Sequence, residues 1–244
     1  NAAAMPYMQR LTWDGIALHS GNLPGYPASH GCVRMPDGFA QRLFAETVLG
    51  MTVIVSNDKV ASPENLANPN VFAQSMDASG KTVPVQPLSV YEDYRWQPEK
   101  SLFGPVTVLI STRNQTIIVL RNGIEIGRSK AGVVGGEPFG SQAYVVLEGA
   151  GAEKSRIVPG QMELKWLRVN APDAAGVEAE GLDSKAISRI AVPVDFARLV
   201  YGALRPGSSM LLTDEAINLE ATTEGMTVLS DESDAEHAAE DNGN

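Results

Sequence analysis

The only cysteine and two of the three histidines, His19, His30 and Cys32, fall within fourteen residues of one another. A free thiol titrates near ~8.5, and a neighbouring imidazole or positive dipole is what makes it thiolate at neutral pH. A thiolate attacks a carbonyl to give a thioester, which a second nucleophile resolves. Gly31 leaves room for an incoming acyl group and tolerates the strained backbone that exposes a nucleophile. The amides of 31 and 32 could then face a tetrahedral oxyanion. Arg34, in a chain whose formal charge is −10, is suited to a bidentate pair with a substrate carboxylate or else faces solvent. Three blander readings stand beside this one. A lone cysteine is commonly an inert buried hydrophobe. A histidine ending a strand is as often satisfied by the backbone as used as a base. Zinc on Cys32, His19 and His30 lacks an evident fourth ligand. His237 lies in an acidic tail and is given no role.

The elements around these residues follow from local pattern. GIALH (15–19) alternates as a short strand ending at His19, and GNLPGYP (21–27) is a loop. The helix-length segment DGFAQRLFAETVLG starts near Pro36, with Phe39, Ala40, Leu43 and Phe44 at the spacing of a buried apolar stripe. Gly50 is its stop, and MTVIV (51–55) reads as a buried strand. Residues 59–103 carry five prolines, with Tyr91, Tyr94 and Trp96, and read as a connector with local structure. VTVLI (106–110), TIIVL (116–120), the turn pair Asn122-Gly123 and IEIGR (124–128) form a meander that YVVLE (144–148) continues. The end, 231–244, is nearly all acidic or small and reads as disordered.

The chain has 244 residues, 43 % hydrophobic and 20 % charged, which is globular composition with enough length for a core. The acidic balance opposes nucleic acid and anionic bilayers as partners. No apolar run is long enough to span a membrane. One cysteine excludes an intrachain disulfide framework and Cys-x2-Cys metal sites.

An internal repeat links the two ends. Shifting by 157 lays 33–57 over 190–214 without a gap, pairing Pro36 with Pro193, Phe39 with Phe196, Ala40 with Ala197, Phe44 with Tyr201 and Gly50 with Gly207. In that frame Cys32 meets Arg189, His30 meets Ile187 and His19 meets Gly176, so only the first copy carries reactive side chains.

The stretch from Met5 to Asn57, with His19-Ser20-Gly21 followed by SHGCVRM (29–35), resembles the carboxy-terminal half of an L,D-transpeptidase catalytic domain, the YkuD-like family. The resemblance implies a mainly β fold, a β-sandwich with short helices whose carboxy-terminal part is 1–58, and a degenerate β-rich pseudo-domain of similar fold over 104–215; composition marks 59–103 as the connector and 216–244 as an acidic, largely disordered tail. Family members open with several strands ahead of the Met5 stretch. Here such strands are expected to be truncated, unrecorded or supplied by another segment.

By the same resemblance, Cys32 is the nucleophile and His19 the base, with the Ser20 carbonyl orienting the imidazole. His30 supports the turn, Gly31 and Cys32 supply oxyanion amides, Arg34 meets the donor, and Tyr7, Met8 and Trp13 wall the cleft. The implied reaction cuts a peptidoglycan tetrapeptide stem through a cysteine acyl-enzyme and passes the acyl group to an amine of another stem or of a lipoprotein. It needs no cofactor or metal. It implies a bacterial periplasm or envelope location after removal of a leader, with glycan strands as a further partner. The alternatives are an L,D-carboxypeptidase or cysteine amidase on the same stems, and a noncatalytic cell-wall-binding protein.

Overall fold

The computed structural model describes residues 4–11, 16–26, 31–53, 71–72, 86–169 and 184–218. The fold is mainly β, with a few short helices. In chain order the elements are β1 (Gln9–Arg10), β2 (Ala17–Ser20), β3 (Val33–Met35), α1 (Asp37–Glu46), β4 (Val71–Phe72), β5 (Tyr94–Trp96), a 3-10 turn (Pro98–Lys100), β6 (Val106–Ser111), β7 (Thr116–Arg121), β8 (Ile124–Lys130), β9 (Gly132–Val133), β10 (Gln142–Lys154), β11 (Met162–Arg168), α2 (Ser184–Ser188), β12 (Ile190–Ala191), α3 (Val194–Ala203), β13 (Ser209–Thr213) and β14 (Ile217–Asn218). Contacts divide the chain into two units, with the boundary between Val48 and Leu49. Among the described residues no helix is long and apolar enough to cross a membrane.

In the first unit β1, β2 and β3 form one small sheet, β1 antiparallel to β2 and β2 parallel to β3. α1 begins after Pro36, whose fixed φ and missing N–H suit a helix start, with Asp37 in the first turn. It ends where the Thr47 hydroxyl and amide both bond back to the Leu43 carbonyl; the same hydroxyl reaches Gln9 Oε1 at 2.9 Å. The helix lies where expected, but its stripe is not buried. Only Ala40 is, while Phe39 is 57 % and Phe44 50 % exposed. Spacing defines a face; a facing layer must exist to cover it.

The second unit is built on a seven-stranded sheet in the order β11-β10-β13-β6-β7-β8-β5, antiparallel throughout except for the β13–β6 pair. The β7–β8 hairpin closes on Asn122 (φ 53°) and Gly123 (φ 75°), both left-handed as a type I′ turn requires. β10 runs to thirteen residues, beyond the expected YVVLE, and pairs with β11 through two register shifts. β5 falls inside the expected connector yet forms the outer edge of this sheet.

One sheet face carries the larger core, in which Phe196 of α3 is 0 % exposed. Its ring meets Tyr94 at 5.6 Å and the edge of Trp96 at 5.9 Å. The other face gathers Leu109, Ile118 and Leu120 with Ile217. Met51–Val53 form no strand, and both Met51 and Val53 are exposed, so the expected buried strand is absent over these residues. Instead the Thr52 hydroxyl sits 2.6 Å from that of Ser209 and 3.3 Å from that of Thr107.

The segments related by the shift of 157 have matching local structure. α1 and α3 both span ten residues, both follow a proline, and Gly50 and Gly207 have φ values of 84° and 86°.

Candidate active site

The parallel pairing of β2 with β3 aligns Leu18 with Val33, His19 with Arg34 and Ser20 with Met35. Paired residues project from the same side of a sheet, and side chains alternate along each strand. Arg34 and His19 therefore share one side, and Cys32 immediately precedes β3. Cys32 is partly exposed, whereas His19 and Ser20 are buried.

His19 Nδ1 lies 2.7 Å from the Ser20 carbonyl oxygen. A carbonyl can only accept, so Nδ1 carries the proton, and in the neutral ring Nε2 holds the lone pair. The Ser20 peptide is itself tied down. Its N–H donates to the Pro6 carbonyl at 2.9 Å, its hydroxyl donates to Asp37 Oδ1 at 2.8 Å, and the Gly21 N–H donates to the Met35 carbonyl at 3.3 Å.

Two glycines make the arrangement possible. A Cβ on Gly21 would stand 3.3 Å from Arg34 Cδ and 3.4 Å from His19 Cε1, so the arginine stem and the imidazole converge over a residue with no side chain. Arg34 Nη1 also donates to the Asn22 carbonyl at 3.5 Å. Gly31 has φ 112°, a left-handed conformation that other residues rarely take, immediately before Cys32.

Of the residues singled out from the sequence, Cys32, His19, Ser20, Gly31 and Arg34 gather on β2, β3 and their approaches. Tyr7 holds an unusual φ of 56°, and its ring lies 6.1 Å from that of Phe44, against α1; Met8 is exposed. Trp13 and His30 lie outside the described residues. Among the described residues no three His, Cys, Asp or Glu side chains come together as a metal site. Sequence reasoning missed Asp37 as a partner of Ser20. Its only signal was an acidic residue following a proline at a helix start.

At the position that the repeat aligns with Cys32, Arg189 donates through Nε to the Val134 carbonyl at 2.9 Å and through Nη2 to the Glu137 carbonyl. Its guanidinium lies 4.0 Å over the Phe139 ring. Asp214 holds the same loop, accepting the Phe139 and Gly140 amides at 2.6 and 2.7 Å.

Residues 1–55 match the YkuD family, the L,D-transpeptidase catalytic domain. Neither the curated proteins nor the solved structures yield a match to the chain.

Proposed function

We propose that the first unit carries a cysteine acyl-transfer centre of the L,D-transpeptidase kind, acting on peptidoglycan stem peptides in the bacterial cell envelope. One observation carries this reading: the Nδ1 bond of His19 to the Ser20 carbonyl leaves Nε2 as the basic nitrogen, on a strand paired with the one that Cys32 immediately precedes. The match over residues 1–55 supports the substrate class.

The steps balance on these groups. His19 Nε2 takes the Cys32 proton as Sγ attacks the carbonyl at the L-centre of the stem. The negative oxygen of the tetrahedral intermediate faces the amides of residues 31 and 32. As the C–N bond to D-alanine breaks, His19 returns the proton to the departing amine. An acceptor amine then attacks the thioester, loses a proton to His19, and releases the thiolate. Arg34 would pair with a donor carboxylate.

The matching helices, caps and glycines 157 positions apart support reading 104–215 as a degenerate copy of the same domain. Where the nucleophile would stand, that copy has an arginine bonded to two carbonyls, so its role is structural or in binding glycan strands rather than in acyl transfer.

The test is intact-mass detection of an acyl adduct on incubation with a tetrapeptide stem or a carbapenem-like acyl donor. The expected result is one adduct, absent from Cys32→Ala while that variant keeps its fold. An amide-linked product that appears only with an acceptor amine supports transfer; release of free tripeptide irrespective of amine identifies a carboxypeptidase. A correctly folded protein that forms no adduct with either donor overturns the reading.

A further inference from the structure

We infer that Asp37 is a positioning residue for His19, acting through the Ser20 side chain. The inference rests on the reading above only in taking Cys32 and His19 as a working pair.

The imidazole takes its direction from one carbonyl, that of Ser20, at 2.7 Å. That carbonyl belongs to the peptide linking Ser20 to Gly21. Glycine leaves the plane of such a peptide weakly constrained by sterics, so its orientation must come from bonds. The bond on the far side of the plane, from the Gly21 N–H to Met35, is long at 3.3 Å. The shorter restraint is the Ser20 hydroxyl, 2.8 Å from Asp37 Oδ1. An ionised carboxylate only accepts, so the hydroxyl proton points at it, and a bond to a charged acceptor is about twice as strong as a neutral one.

Asp37 is well placed to hold that bond. It is the first residue of a ten-residue helix, where the positive end of the helix dipole favours its charge. A rigid element thus fixes Asp37, Asp37 fixes the Ser20 side chain, and Ser20 fixes the carbonyl that aims His19. Among the described residues, Arg34 also lies beside the ring, in register with His19 and with its stem against Gly21. Asp37 itself touches neither the ring nor the reacting atoms; it acts at one remove.

The test follows the rate of Cys32 alkylation by iodoacetamide against pH, alongside acyl-enzyme formation, in the full chain and in Asp37→Ala, Asp37→Asn and Ser20→Ala. With the imidazole less well aimed, Asp37→Ala and Ser20→Ala should slow Cys32 alkylation at a given pH relative to the parent. They should also slow acylation about tenfold, with donor KM little changed. Asp37→Asn retains an oxygen acceptor and should stay close to the parent. Unchanged alkylation and acylation rates in Asp37→Ala, with only the melting temperature lowered, would reduce Asp37 to a helix-end charge and overturn the inference. So would an asparagine variant as impaired as the alanine one. If the parent and His19→Gln give the same alkylation profile, no working pair exists and both readings fall. If the profiles shift as expected but no stem donor acylates the thiol, Asp37 keeps its role and only the transfer reading fails.

Discussion

At the scale of single residues, the site turns on which nitrogen of His19 is left unprotonated. The Ser20 carbonyl settles that by accepting from Nδ1. A glutamine at 19 can still reach that carbonyl but offers no basic nitrogen. His19→Gln should therefore slow acylation by roughly 10²–10⁴-fold, the range for removing a general base, while donor binding persists; single-turnover kinetics with separately measured donor affinity check both parts. The candidate site residues Cys32 and His19 were legible because they are rare types at short spacing. Gly21 was visible as part of the His19-Ser20-Gly21 run, but its reason, the approach of Arg34 and His19 over its α-carbon, is a property of two strands in register and not of the chain read in line. Asp37 was illegible as a site residue for the same reason, since its partner lies seventeen positions earlier on another element.

At the scale of elements, the sequence served best where local rules act alone. The β6–β7–β8 meander follows from short apolar runs and one turn pair, and the starts of α1 and α3 follow their prolines. It served less well where a partner decides. β11 mixes Glu163 and Lys165 with Leu164 and Trp166 and becomes a strand by pairing with β10. β5 lies amid prolines and becomes one by pairing with β8. The approach to β5 is held by a charge cluster: Arg95 donates to Glu92 at 2.7 Å and to the Gln86 carbonyl at 3.1 Å, and the Ser89 N–H donates to Glu92 at 2.8 Å. The arginine bond first, and the Ser89 amide second, lower the Glu92 carboxyl from its ordinary 4.5 to about 2. A depressed folded value means the contribution is complete above about 4.5 and is lost as pH falls towards 2. Thermal melts between pH 6 and 2 should thus show a shallower acid decline in Glu92→Gln than in the parent, with the difference shrinking in high salt because the pair is open to solvent.

At the scale of the molecule, two aromatic positions that the shift of 157 aligns have opposite surroundings. Phe196 is sealed beneath Tyr94 and Trp96, and even a methyl on the facing Gly127 would meet Trp96 at 2.5 Å. Phe39, 157 positions earlier, is more than half exposed. Phe196→Ala should cost about 3–5 kcal/mol in denaturant unfolding, whereas Phe39→Ala should fall within ~0.5 kcal/mol of the parent. The seven-stranded sheet also has an order of assembly written into it. β13, its last strand in the chain, lies between β10 and β6 and is the single parallel link. Until residues 209–213 join the sheet, the β6–β7–β8 meander and the β10–β11 hairpin are separate pieces, each with a bare edge of unpaired amides and carbonyls. Closure then joins strands about a hundred residues apart, a contact that forms slowly because the loop entropy is lost before the pairing is gained. The folding chain is therefore most open to strand exchange with its neighbours before β13 inserts, and a chaperone that shields those two edges would raise the yield of folded protein.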